Sequence, residues 1–402
     1  MRERRRVLAV VSVTLLAAVV VWFNYSALLP LVAADWGLSG VAAGAVFAAF
    51  QAGYVLAVLP AGRLADRASP RLVVAGGAAG TGLASLGFAA VATGPVSGAA
   101  LRFVGGCFMA GVYVPGMRLV SDWFPPEARG RAMGAYVGAF SLATGLSFLL
   151  SSAVAAAVDW RAGVAATGAL AVLAAPLPVV LLRDHPDAVS ASPGFDLAVV
   201  RDRAYLYAVG AYAGHSWEVF AVRNWLPAFL VTLPAVAGSD SPTLTAGLLT
   251  GVTLSLGGFG NLGGGWASDR LGRARTVVLA LGASAAVSLS LGAVGPALPF
   301  PALVALLVVY GVVLVADSAP ASTVVTETVA DEHVGVALAL QSVVGFAATT
   351  ASPVVFGAAL DAGGFAAAFP TLAAGALCGA AAMLLHARSR DAPTAGGETS
   401  AA

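Results

Sequence analysis

Runs of twenty or more apolar residues recur along the whole chain, separated by short segments marked by proline, glycine and charge. Each run is long enough to cross a hydrocarbon core of roughly 30 Å as a helix. Using that punctuation, spans are expected at Val7 to Pro30, Gly40 to Leu64, Leu72 to Ala92, Val96 to Val120, Ala132 to Val158 and Ala162 to Leu182. A second six are expected at Tyr205 to Leu233, Leu244 to Ala267, Thr276 to Val294, Phe300 to Val325, Val334 to Leu360 and Phe365 to His386. The first run follows the basic cluster Arg2, Arg4, Arg5 and Arg6 but stays apolar past Trp22 and Phe23 toward Ala34. A secretory h-region is about 7–15 residues, so this run is expected to be retained as a membrane helix.

Composition strengthens the pattern. The 402 residues are 59% hydrophobic and 10% charged, with mean hydropathy +0.89, whereas soluble domains carry about 25% charged residues. A net charge of +1 argues against nucleic acid as a partner. Cys107 and Cys378 both fall inside apolar runs, where a disulfide framework has no place. Lysine is absent, so the chain holds no phosphate-binding Gly-x-x-x-x-Gly-Lys-Ser/Thr loop. With no Ser/His/Asp or metal-ligand constellation, the sequence points to no enzyme, catalytic residue, metal or cofactor.

Arginine placement orients the chain. With the N-terminus in the cytoplasm, only Arg161 falls in an outer loop, Arg102 and Arg223 lie within spans, and the others are inside. That asymmetry puts both termini in the cytoplasm of a multi-pass protein of the cytoplasmic membrane. The expected units are an N-terminal six-helix bundle (1–182), a cytoplasmic linker (183–204) carrying Pro186, Pro193 and Gly194, a C-terminal six-helix bundle (205–387) and a disordered tail (388–402).

The two halves repeat. Gly62-Arg-Leu-Ala-Asp66-Arg67 returns as Gly265-Trp-Ala-Ser-Asp269-Arg270 at an offset of 203. Ala43-Gly44 matches Ala246-Gly247 at 203, Gly130 matches Gly335 at 205, and Asp159 matches Asp361 at 202. Chance matches would scatter in spacing, so the near-constant offset implies a duplicated six-helix unit. Parallel repeats about an axis normal to the membrane form a transporter architecture.

These motifs resemble the major facilitator superfamily over nearly the whole chain. The resemblance implies an all-α membrane protein of twelve transmembrane helices in two pseudosymmetric bundles. Its cytoplasmic signature, Gly-x-x-x-Asp-Arg-x-Gly-Arg-Arg/Lys, is similar to Gly265, Asp269, Arg270, Gly272 and Arg273, and to Gly62, Asp66, Arg67 and Arg71, with Ser69 and Pro70 departing. Such a motif works as a conformational latch, the glycine allowing close helix approach and the charges pairing at helix ends. The resemblance implies Asp122 and Arg129 as latch partners. Arg102-Phe-Val-Gly-Gly106 is similar to the family's motif in the fourth helix. The Gly-Pro pair that marks drug–proton antiporters in the fifth is absent. The run loosely resembles the branch of nitrate/nitrite and cyanate porters, yet the second and eighth spans hold no arginine before their cytoplasmic ends.

Five ionisable side chains lie within spans: Arg102, His215, Glu218, Arg223 and Asp317. A charge at a helix centre costs roughly 3 kcal/mol, so each is expected to face protein or water. The resemblance implies that the first, fourth, seventh and tenth spans line a central cavity, and all five lie in these. His215 and Glu218, one turn apart on one face, are the candidates for proton coupling, with Asp317 a second protonatable site or a group satisfying backbone freed by Pro320. Arg223 suits a carboxylate or other oxyanion. Asn224-Trp225 repeats Asn24-Tyr25 at an offset of 200, placing Asn24, Asn224, Arg223 and Arg102 as candidate solute-binding residues. The expected activity is proton-coupled movement of a small anion by a monomer working through alternating access. Drug or cation efflux, and a non-transporting sensor on the same fold, are the alternatives.

Overall fold

The computed structural model describes residues 2–185, 200–330 and 333–391. Within them the backbone is helical, without a strand. Hydrocarbon demands this, because each backbone N–H and C=O must be satisfied inside its own segment unless a barrel closes. The first half comprises α1 (Arg2–Trp36), α2 (Gly40–Arg67), α3 (Pro70–Val91), α4 (Pro95–Trp123), α5 (Pro126–Ala157), α6 (Trp160–Ala174) and the short α7 (Pro176–Leu181). The second comprises α8 (Arg203–Leu230), α9 (Pro234–Ala237), α10 (Pro242–Ser255), α11 (Gly257–Leu271), α12 (Arg273–Val294), α13 (Phe300–Val313), α14 (Ser318–Thr328) and α15 (Val334–Asp391).

Ten helical segments among the described residues are long and apolar enough to cross a bilayer. Trp160–Leu181, Pro242–Leu271 and Phe300–Thr328 each count once, although each contains a break. α15 also counts once, yet Gly363 and Gly364 leave helical geometry inside it. Gly364 has φ +68°, a conformation that glycine enters at little cost. α8 is not among the ten, and His215, Glu218 and Arg223 lie within its 28 residues. Twelve crossings require α8 to span and α15 to span twice.

Helix boundaries follow local chemistry. Ser39, Asp159 and Asp202 accept hydrogen bonds from the amides of Ala42, Ala162 and Ala204 at 3.2, 2.6 and 2.7 Å, satisfying donors left open at helix starts. Proline is a weaker stop than expected. α1 runs through Pro30 to Trp36, because neighbouring helices re-satisfy a freed carbonyl in a membrane bundle. α15 continues to Asp391, past residue 387 where the second bundle is expected to end. Residues 186–199, with Pro186, Pro193 and Gly194 of the expected linker, lie outside the described residues, as do 392–402 of the tail.

Successive long helices alternate in direction, so Arg2 and Asp391, the first and last described residues, share one end of the bundle with the α2–α3 and α4–α5 turns. At this terminal end Arg71 donates to the Leu182 carbonyl at 2.6 Å, and Arg390 to the Glu327 carbonyl at 3.2 Å. The halves meet along α2 against α15, α5 against α10 and α1 against α8. One apolar cluster crosses that seam, joining Phe23, Tyr54 and Phe148 to Leu226, Leu254 and Phe356.

The seam is tight only at the opposite, distal end. There Asp361 of α15 accepts from the Gly40 and Val41 amides at 2.6 and 3.0 Å, capping α2 from the other half. A side chain at Gly44 would collide with the backbone of Pro353. Toward the terminal end, a Cβ at Gly62, Gly134, Gly138 or Gly265 would meet nothing within 4 Å. Close helix approach, expected at Gly62 and Gly265, therefore does not occur in this conformation, in which the halves part on that side.

Candidate functional site

α8 carries four of the candidate residues, and its neighbours sort them into three environments. His215 Nδ1 lies 2.8 Å from Asp317 Oδ1, both groups being buried. Asp317 sits in the break between α13 and α14, as the residue before α14, yet its side chain makes no capping bond there. The carboxylate therefore does not satisfy backbone loosened near Pro320; it faces across to α8. Its Oδ2 has no hydrogen-bonding partner among the described residues.

Glu218, one turn further along α8, belongs to a separate cluster. Ser288 of α12 donates to its Oε1 at 2.6 Å, and Tyr310 of α13 lies 2.6 Å from Ser288 and 3.5 Å from Glu218. Glu218 is 1% exposed and makes no ion pair among the described residues. The expected His215–Glu218 pair thus resolves into His215 with Asp317 and Glu218 with two hydroxyls. Neither Ser288 nor Tyr310 stands out in the sequence, where serine and tyrosine are common in apolar runs.

Arg223 and Asn224 lie on the seam. The Arg223 guanidinium stands 5.5 Å from the Phe23 ring centre in α1 and 5.0 Å from that of Phe220. It makes no hydrogen bond or ion pair with any described residue, and its Nε is buried without a partner. Asn224 Oδ1 accepts from Ser26 across the halves at 3.3 Å, while its buried Nδ2 is unpartnered. Tyr212 lies within electrostatic reach of both Arg223 and Asp317. An unpaired guanidinium next to two aromatic rings, with an unpartnered amide donor on the following residue, has the chemistry to accept an oxyanion.

Asn24 and Arg102 are brought together elsewhere. Arg102 donates to the carbonyls of Val21 and Trp22 at 3.1 and 2.8 Å and to Asn24 Oδ1 at 3.4 Å, and lies 4.4 Å from the Phe50 ring centre. Asn24 Nδ2 donates to Ser85 and Thr167 at 3.0 and 2.8 Å. The narrow cleft around them is lined only by first-half residues. Asn24 and the terminal nitrogens of Arg102 are thus engaged inside one bundle, while Arg102 Nε is buried without a partner among the described residues.

A sequence model of the Major Facilitator Superfamily matches residues 11–239 and 228–401. The chain belongs to the major facilitator superfamily. An uncharacterized MFS-type transporter of Mycobacterium tuberculosis is 28% identical over 329 residues, 81% of this chain and 71% of that protein. The hexuronate transporter of Bacillus subtilis is 24% identical over 277 residues, 65% of this chain and 64% of the relative. The D-galactonate transporter of Escherichia coli is 32% identical over 149 residues, 37% and 34% of the two chains. Among solved structures, a bacterial homolog of the human lysosomal transporter Spinster, inward-facing and occupied, superposes with a TM-score of 0.83 at 15% identity. That match covers 96% of this chain and 97% of the other. The two relatives just named for a solute are transporters of sugar acids, and a probable transporter of sulfoacetate in Cupriavidus necator is 27% identical over 288 residues, 67% of this chain and 66% of that protein.

In this major facilitator protein the residues expected to form a latch cluster at the terminal end. Asp66 pairs with Arg118 of α4, whose Nε also lies 3.6 Å from Asp122. In the second half Asp269 pairs with Arg273 at 2.5 Å, and Arg273 reaches Glu327 of α14 at 3.5 Å. Arg270 stacks on Trp266 with 3.8 Å to the ring centre, and Arg129 donates to the Phe124 carbonyl at 3.3 Å. Arg67 makes no hydrogen bond or ion pair with any described residue. Arg118 and Glu327 are the partners that spacing alone does not reveal, since an arginine near a cytoplasmic helix end reads equally well as a topological signal.

Proposed function

We propose that this major facilitator protein moves a small organic anion across the cytoplasmic membrane with protons, by alternating access between two six-helix bundles, residues 1–182 and 205–387. Twelve crossings, with α8 spanning and α15 spanning twice, put both termini in the cytoplasm, in keeping with the arginine distribution. On that orientation the terminal end is the inner one, and this conformation is open inward. With both bundles on one chain, one copy suffices.

The observation that carries the reading is Arg223: a cation on the seam between the halves that pairs with no described group. Its half-buried guanidinium keeps a buried Nε without a partner; a donor left unpaired there is costly, and an anionic solute would satisfy it. The acid-sugar relatives support the same sign of charge. Glu218, which would favour a cation, accepts from a hydroxyl, and Asp317 faces His215 through Oδ1 while its Oδ2 is unpartnered. The proton sites are His215 with Asp317 and, about 4.5 Å along α8, Glu218. Asp66, Asp122, Asp269 and their arginines hold the inner helix ends.

Uptake of radiolabelled small carboxylates into proteoliposomes, with and without an inwardly directed proton gradient, tests the proposal. Accumulation above the outside concentration is expected only with the gradient. Uptake that ignores the gradient would remove proton coupling. Accumulation that survives Glu218→Gln would remove Glu218 from the mechanism.

A further inference from the structure

The first amides of α2 have no acceptor within their own helix, and two of them are satisfied from the other half. Ser39 accepts from Ala42 at 3.2 Å, whereas Gly40 donates to Asp361 Oδ1 at 2.6 Å and Val41 to Asp361 Oδ2 at 3.0 Å. For its own helix this carboxylate is misplaced. Asp361 lies two residues before the break at Gly363 and Gly364, so it ends the first segment of α15, where the helix dipole disfavours a negative charge. The N-terminus of α2 favours one. Gly40 permits the approach, since a Cβ there would collide with the Gly357 carbonyl and crowd Asp361 itself.

The repeat shows what the other edge of the seam lacks. Asp159 stands at the equivalent position, 202 residues earlier, but its Oδ1 caps Ala162 of its own half at 2.6 Å. α10, the counterpart of α2, begins at Pro242, and Ser241 before it makes no side-chain cap bond. The α5–α10 edge is packed, with Gly247 against Ser152, and among the described residues no carboxylate bonds across it.

We infer that Asp361 is the fastening of the distal gate: its carboxylate, tied to two α2 amides on one edge of the seam, biases the halves toward the conformation closed at that end. This rests on the alternating access proposed above and assigns its bias to one residue. Once the halves part, carboxylate and amides both face water, so the contact favours the closed conformation alone. Losing one such helix cap should raise the ratio of distal-open to distal-closed protein about fivefold.

Spin-label distances in the full-length protein without solute test the inference, with Val96→Cys and Phe300→Cys at the distal end and Leu64→Cys and Leu271→Cys at the terminal end, all exposed positions. Asp361→Ala is expected to raise the long-distance population of the distal pair about fivefold, with the terminal pair shortening. Asp361→Asn, which keeps one acceptor oxygen, should fall between Asp361→Ala and wild type. Asp159→Ala should lower the melting temperature and leave both distributions as in wild type. Gly44→Leu, which cannot close on the Pro353 backbone, sets the open reference. Opening in Gly44→Leu with none in Asp361→Ala would overturn the fastening and leave alternating access standing. An equal opening in Asp159→Ala would overturn it too, because the effect would then not belong to one edge. If Gly44→Leu moves neither pair, alternating access falls as well.

Discussion

Replacing Arg223 by glutamine is expected to reduce carboxylate uptake to near background and to weaken binding by roughly thirtyfold, while leaving the folded protein intact. The magnitude follows from losing one charge-assisted contact, about 2 kcal/mol. Because the guanidinium makes no hydrogen bond or ion pair with any described residue in this conformation, its removal leaves no described acceptor unpaired. Arg223→Lys keeps the charge but not the planar fork, and intermediate affinity is expected. Arg102→Gln should do the opposite. It removes the donor to the Val21 and Trp22 carbonyls and to Asn24, so melting temperature falls before affinity does. Binding titrations beside thermal melts of the three variants decide this. A folded Arg223→Gln protein that binds carboxylates as tightly as wild type would exclude Arg223 from the site.

Asp317→Asn is expected to separate transport from its driving force. The amide can still hydrogen-bond His215 across the 2.8 Å contact, so the packing of α8 against the α13–α14 break survives, but the position no longer exchanges a proton. Counterflow, in which labelled solute enters against unlabelled solute inside, should persist at a rate within about threefold of wild type. Accumulation driven by a proton gradient should vanish. Retained gradient-driven accumulation in this variant would move the proton site away from the His215–Asp317 pair.

Much of the scaffold was legible in the order of residues. Apolar run length marked ten spanning segments among the described residues, and Gly62-x-x-x-Asp66-Arg67 against Gly265-x-x-x-Asp269-Arg270 made the two halves comparable. Ionisable residues inside spans were legible as well, because their insertion cost makes each one conspicuous. Partnerships across helices were not. Helical periodicity places His215 and Glu218 on one face of α8 but is silent on what that face meets, and Asp317 lies 102 residues away in sequence. Arg102 and Arg223 are chemically alike on the page. One is enclosed by α1 carbonyls and the other stands on the seam, a difference set by packing between helices. The tight fit of Gly44 on Pro353 and the open setting of Gly62 depend on which end of the seam is closed, a property of one conformation that no linear motif encodes.

The central claim is that the two halves exchange which end of the seam is closed, around Arg223. Spin labels in a background of Cys107→Ser and Cys378→Ser measure this directly. One pair sits at the distal end, Val96→Cys with Phe300→Cys, and the other at the terminal end, Leu64→Cys with Leu271→Cys, all at exposed positions. With saturating carboxylate under acid conditions, the distal distance is expected to lengthen as the terminal distance shortens, and Arg223→Gln should abolish the shift. Distances that stay fixed, or that change in the same direction at both ends, would contradict the account.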